Sequence, residues 1–202
     1  MILAINPKNP QARLIRRVVE TLQKGGVIVY PTDTIYGLGC DLFNPDSIRK
    51  IHRLKKLDGK KPLSFVCSDL KDISQYAYVS NYAYKVMKRL LPGAYTFILK
   101  ATKMVPKVAL TKQNTVGIRI PDNPICLALV KELGHPIIST SVYKAEEVLY
   151  NDPEEIEEKF GKQLDLLIDG GIIAAEHSSI IDLSEEAPKI IRKGKGDVSL
   201  FL

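Results

Sequence analysis

No apolar run in this chain approaches the ~20 residues needed to cross a bilayer. The opening Met1-Ile-Leu-Ala-Ile-Asn6-Pro7 lacks the basic start and long apolar stretch of a secretory signal. A cytoplasmic protein with no membrane partner is expected. Cysteine is scarce: Cys40, Cys67 and Cys126 are odd in number, widely spaced and form no Cys-x-x-Cys pair. Buried, reduced thiols are therefore expected in place of a disulfide framework. His52, His135 and His177 are isolated and lack metal-ligand spacing, so no metal site is expected. Neither a Gly-x-x-x-x-Gly-Lys-Ser/Thr phosphate loop nor a Gly-x-Ser-x-Gly nucleophile elbow occurs. Gly37-x-Gly39 begins a dinucleotide fingerprint, but Leu42 stands where the third glycine belongs, and the match fails.

What remains is an ordinary globular composition, 45% hydrophobic and 26% charged. The 202 residues suit one domain, 1–202, large enough for a substantial core. Charge is unevenly spread. From Arg49 to Lys61, seven cations (Arg49, Lys50, Arg53, Lys55, Lys56, Lys60, Lys61) face the single acid Asp58, which equals the whole +6 excess of the chain. Arg192, Lys193 and Lys195 form a smaller cluster. Such concentration suits an anionic partner, phosphate or RNA, and equally a solvated helix face.

Asn9-Pro10, Asn44-Pro45, Asn123-Pro124 and Asp152-Pro153 each combine an N-cap residue with a proline suited to the first helical position. Leu14, Ile15, Val18, Val19 and Leu22 follow the first at helical spacing, and Gly25-Gly26 ends that helix. Ile48, Ile51 and Leu54 mark a second helix, which carries the basic cluster. Another opens at Val79-Ser80, and one around Leu129 closes at Gly134. The acids Asp152, Glu154, Glu155, Glu157 and Glu158 suit a helix N-terminus rather than a catalytic pair. Short apolar runs lie between the helices: 27–30, 63–67, 95–100, 116–120, 136–140, 166–168, 179–183 and 189–192. They read as buried strands covered by helices. The pattern predicts an α/β fold with a twisted, mixed, mostly parallel open sheet and helices on its faces. No helix separates the runs near 95–120 or 179–192, which is why the sheet is expected to be mixed.

The segment Tyr30-Pro-Thr-Asp-Thr-Ile-Tyr-Gly-Leu-Gly39 follows a strand and is dense in hydroxyls and glycine. Loops at strand ends of open α/β sheets are favoured ligand sites. This segment resembles the opening motif of the YrdC/YciO family. The resemblance continues in order through Ile51-His-Arg-Leu-Lys55, Lys61-Pro-Leu63, Leu91-Pro-Gly-Ala-Tyr-Thr96, Val116-Gly-Ile-Arg-Ile-Pro121, Ile138-Ser-Thr-Ser141, Asp169-Gly-Gly171, Ser178-Ser-Ile-Ile-Asp182 and Ile191-Arg192-x-Gly194. It implies a YrdC-like fold with a basic concave groove. The activity implied is joining ATP, L-threonine and bicarbonate into threonylcarbamoyl-AMP with release of pyrophosphate, for t6A modification of tRNA. Binding of double-stranded RNA or tRNA is also implied. Carried over by resemblance, Thr32, Tyr36 and Thr96 line the threonine side, Arg119 holds a carboxylate, Lys55 faces phosphate, Ser141 and Ser179 offer hydroxyls to the nucleotide, and Arg192 steadies its phosphates. Lys55 and Arg119 are the expected catalytic pair. Arg49, Lys50, Arg53, Lys56, Lys60 and Lys61 form the expected RNA-facing patch. No tightly held cofactor is implied; Mg2+ travels with ATP.

Three positions depart from the synthase pattern. Lys-x-Arg becomes Lys55-Lys56-Leu57, Ser-x-Asn becomes Ser141-Val142-Tyr143, and a histidine becomes Val66. Leucine cannot replace an arginine fork. These losses resemble the YciO branch. Three functions stay open: a nucleotidyltransferase of the threonylcarbamoyl-AMP type, an RNA-binding relative with weak, lost or different nucleotide chemistry, and a binding protein for another nucleotide or small acid.

Overall fold

Side chains on successive strand residues point to opposite sheet faces, and in the middle of this sheet the two faces differ sharply. One carries Phe65, Phe97, Leu99, Val116, Ile118, Ile138 and Ile181, all buried in the larger core. The other carries Ser64, Thr96, Gly117, Arg119, Ser139 and Ser141, which line a cleft or a hollow continuous with it. A helix gains nothing by covering the second set, and among the described residues none does.

The computed structural model describes residues 1–55, 63–71, 73–142 and 149–202. In chain order the elements are β1 (Ile2–Ala4), α1 (Ala12–Gln23), β2 (Ile28–Tyr30), β3 (Gly37–Asp41), α2 (Pro45–Leu54), β4 (Ser64–Val66), α3 (Ile73–Tyr76), β5 (Ala77–Tyr78), α4 (Asn81–Leu90), β6 (Tyr95–Ala101), β7 (Thr115–Arg119), α5 (Pro124–Leu133), β8 (Ile137–Ser141), α6 (Pro153–Phe160), β9 (Leu166–Asp169), β10 (Ser179–Asp182) and β11 (Lys189–Arg192). They build one sheet in the order β1-β9-β2-β3-β8-β4-β7-β6-β10-β11, with β5 paired to β6.

The sheet is mixed, as expected. β9 pairs in parallel with β1 and β2, β4 with β7, and β10 with β6. Antiparallel pairing takes a larger share than the sequence suggested, in β2–β3, β3–β8, β4–β8, β5–β6, β6–β7 and β10–β11. The reason is local. The chain passes from β2 to β3 and from β10 to β11 without a crossover helix, and only 3-10 turns separate β6 from β7.

Asn44, Asn123 and Asp152 cap α2, α5 and α6 through their side chains, with proline next in each case. Ser80 caps α4 the same way. Asn9-Pro10 does not act so: α1 begins after Gln11, with no side-chain cap. The Asn6 carboxamide instead accepts from the N–H groups of Lys8 and Asn9. Gly134 ends α5 at φ +82°, a backbone conformation that favours glycine.

α1 and α5 share the smaller core with Ile28, Tyr30, Val66, Ile137, Leu166 and Ile168, which project from the same sheet face as the cleft. These helices cover only the β1–β3 end and its margin. α2, α4 and α6 place Ile48, Ile51, Ala83, Val86, Met87 and Ile156 in the core on the opposite face. Among the described residues, helices thus cover the central strands on one face, not both. All three cysteines are buried and unbridged. No helix among the described residues is long and apolar enough to cross a membrane.

Candidate active site

The bare face forms the floor of a cavity of about 300 Å³, lined by Tyr36, Ser64, Val66, Thr96, Arg119, Ser139, Ser141, His177, Ser178 and Arg192 among others. A second hollow of about 470 Å³ continues along the sheet, sharing Ser64, Thr96 and Ile180 with the first. Residues far apart in sequence meet here because β7 lies between β4 and β6.

The β2–β3 connection forms the wall. Thr32 Oγ1 donates to the Ile35 carbonyl at 2.6 Å and accepts from the Thr34 N–H at 3.1 Å. This turn presents Asp33 and Thr34 to Arg119. Arg119 Nη2 donates to Asp33 Oδ1 and Thr34 Oγ1, each at 2.5 Å, and lies 3.4 Å from Thr32 Oγ1. The Arg119 and Asp33 side chains are 11% and 9% exposed, so the ion pair is largely withdrawn from water. Arg119 Nε is buried without a partner.

Tyr36 closes one side. Its hydroxyl donates to the Gly171 carbonyl at 2.8 Å and accepts from the Gly170 N–H at 3.2 Å. Burial pushes this phenol up to about 12, against the opposing pull of the Gly170 hydrogen bond. Below it, Tyr30 donates to Ser139 Oγ at 2.6 Å, and its own phenol is raised further by complete burial. Gly37 passes over this ring: a Cβ there would lie 2.9 Å from Tyr30 Cζ and 3.1 Å from Ser139 Oγ. Opposite, Arg192 Nε donates to the Ser178 carbonyl at 3.0 Å and Nη2 to Ser178 Oγ at 3.3 Å; Ser178 Oγ in turn lies 2.9 Å from Thr96 Oγ1.

Of the residues singled out by sequence, Tyr36, Thr96, Arg119, Ser141 and Arg192 converge on this cavity, along with Val66. Thr32 stands behind Arg119, its hydroxyl turned into the β2–β3 loop. Ser179 is fully buried; its Oγ donates to the Gly196 carbonyl at 2.5 Å and accepts from the Gly194 N–H at 2.9 Å, so it serves the chain rather than the cleft. Its neighbour Ser178 takes the position facing the cavity, because adjacent residues at a strand end project oppositely.

Lys55 does not join Arg119. It caps α2 at its C-terminal end and borders a small hollow with Val29, Leu38, Leu54 and Phe160. Val29 and Leu38 belong to the opposite sheet face, so the sheet itself separates Lys55 from the cavity. The basic patch lies on that same helix. Arg49 pairs with Asp46 and Lys50 with Asp165, each at 2.7 Å, while Arg53 is exposed. Burial alone would raise the Asp165 carboxyl, but the hydrogen bonds from Lys50 and the Val27 N–H outweigh it and hold it low. Lys56, Leu57, Lys60, Lys61 and Tyr143 lie outside the described residues. Asp33, Ser139, Ser178 and His177 were not singled out by sequence. Asp33 and Ser178 sat inside the quoted motifs, so the signal was present, but only the fold shows which motif residues face inward.

The model of the Sua5/YciO/YrdC family, described as telomere recombination, matches residues 20–194. The uncharacterized protein YciO of Escherichia coli is 45% identical over 200 residues, covering 98% of this chain and 97% of that protein. A putative threonylcarbamoyl-AMP synthase of Methanocaldococcus jannaschii is 32% identical, covering 96% and 92%. The crystal structure of E. coli YciO superposes with a TM-score of 0.96 at 44% identity, over 100% of this chain and 99% of that one. That of P. abyssi Sua5 complexed with L-threonine gives 0.90 at 26% identity, over 96% of this chain and 57% of that one. Family match, identity over the full length and fold agree, and the chain belongs to the Sua5/YciO/YrdC family.

Proposed function

We propose that the chain uses this cleft to adenylate a threonine-derived carbamate, an activity of the threonylcarbamoyl-AMP synthase type. The threonine amine adds to bicarbonate, giving a carbamate and water. A carbamate oxygen then attacks the α-phosphorus of ATP, and the bond to pyrophosphate breaks. The protein must hold a carboxylate and a triphosphate close together despite like charge, and positioning with electrostatic compensation supplies most of the rate. Arg119 receives the amino-acid carboxylate, with Tyr36 and Thr96 beside it. Arg192 and Ser178 steady the nucleotide phosphates, and Ser141 adds a hydroxyl. Mg2+ enters on the nucleotide, with the phosphates that carry it.

One observation carries this reading. Arg119, Arg192, Tyr36 and Thr96 meet on a sheet face that no helix among the described residues covers, around a cavity of small-molecule size. The relative solved with L-threonine, P. abyssi Sua5, supports the amino-acid half. The alternative, a double-stranded RNA- or tRNA-binding relative, draws on α2. There Arg49 and Lys50 are paired with acids, and the helix packs on the sheet face away from the cleft, so the described cations support the alternative less.

The test is incubation with ATP, Mg2+, bicarbonate and L-threonine, followed by detection of threonylcarbamoyl-AMP and pyrophosphate. Threonine-dependent product that disappears in Arg192→Ala and Arg119→Ala is expected. No product from wild-type chain that binds tRNA would move the function to the RNA-binding alternative.

A further inference from the structure

A site that adenylates an acid must sort two anions, because the cation meant for the carboxylate also attracts phosphate. Arg119 is not a free charge in this structure. Both hydrogens of Nη2 are taken by Asp33 Oδ1 and Thr34 Oγ1. Nε is buried and unpartnered, and the guanidinium's hydrogen bonds to Thr32, Asp33 and Thr34 all leave from Nη2. Arg119 therefore keeps N–H donors for a ligand while its positive charge is already matched by a carboxylate that is itself 9% exposed. Asp33 is held in turn. Lys195 Nζ donates to the Asp33 carbonyl at 2.6 Å, tying the C-terminal segment to the loop, and the Lys195 N–H donates to the His177 carbonyl at 2.8 Å.

We propose that Asp33 is a specificity-determining residue, an internal counter-charge that makes the Arg119 end of the cleft accept one small carboxylate and turn phosphate away. The proposal rests on the reading that an amino-acid carboxylate and nucleotide phosphates share this cleft. Attraction of a polyanion depends on the net charge it meets, and here Asp33 cancels that of Arg119. Binding of a carboxylate by N–H donors depends on direction and on a planar guanidinium held still, which the Asp33 and Thr34 bonds provide. Selectivity then comes from a repulsive element as well as an attractive one.

The experiment is calorimetric titration of the full chain with inorganic pyrophosphate and, separately, with L-threonine, at two salt concentrations, in wild type and Asp33→Asn. Asp33→Asn is expected to bind pyrophosphate about tenfold more tightly, with a steeper salt dependence, as expected when a like charge near the ligand is removed. It should bind threonine several-fold more weakly. In the Arg119→Gln background the same substitution should also raise pyrophosphate affinity, because the Asp33 charge repels phosphate whether or not a cation stands beside it. A folded Asp33→Asn chain whose pyrophosphate affinity is equal to or below wild type would overturn the proposal. Asp33→Ser, which keeps an acceptor for Arg119, repeats the comparison should Asp33→Asn fail to fold. Wild-type chain that binds no threonine would remove the amino-acid reading, and the pyrophosphate comparison would still decide the role of Asp33.

Discussion

Replacing Arg119 by methionine removes one partner of a buried ion pair and strands the other. Asp33, 9% exposed, would keep its charge with no cation to meet it. Breaking a buried pair in this way costs about 3–5 kcal/mol, because the uncompensated charge is worse than no charge. For a chain of this size each kcal/mol shifts the thermal midpoint by about 2–4 °C, so a loss of roughly 6–20 °C is expected by calorimetry, with a matching fall in the urea midpoint. The double variant Asp33→Asn/Arg119→Met removes both charges and should recover most of the loss. A single variant within 1 kcal/mol of wild type, or a double variant no more stable than the single one, would refute the claim that this pair holds the β2–β3 loop.

Gly37→Ala would place a methyl 2.9 Å from Tyr30 Cζ and 3.1 Å from Ser139 Oγ; overpacking of this kind costs about 1–3 kcal/mol, read by chemical denaturation. Ser179→Ala removes an acceptor for the Gly194 N–H and a donor to the Gly196 carbonyl, a loss of about 1–3 kcal/mol; Ser178→Ala should instead weaken pyrophosphate binding with a smaller change in stability. The Tyr36 phenol titrates at about 12 in the folded chain against ~10 when unfolded. Its neutral form therefore contributes stability that is complete below ~10 and lost as pH rises through about 12. Difference absorbance of wild type against Tyr36→Phe should show one late-ionising phenol, and ionisation near 10 would contradict its burial.

Period and punctuation were readable in the chain for physical reasons. Asn44-Pro45, Asn123-Pro124 and Asp152-Pro153 satisfy helix N-termini locally, so each predicts its helix without reference to the fold. Asn9-Pro10 failed because Asn6 binds the backbone there. The strand Gly37–Asp41 was missed since two glycines argue against a strand; they are needed because Tyr30 and Ile137 crowd that face. The runs 95–100 and 136–140 read as uniformly buried strands, although Thr96 and Ser139, with Ser141 just beyond the second run, alternate with other residues and mark the cleft face.

By itself, then, the amino-acid order determined every helix but the short α3, most strands, the motif order and hence the family, since these depend on contacts between near neighbours or on residue identity alone. Which motif residues share a site was decided only by tertiary structure. Strand register sets Arg119 beside Val66 and Thr96 beside Ile180, and the parity of each strand decides which side chain faces the cleft. That parity puts Ser178 rather than Ser179 in the cavity, while the packing of α2 on the other face puts Lys55 behind the sheet. The β2–β3 loop brings Asp33 to Arg119 across 86 residues, a pairing that no local pattern encodes.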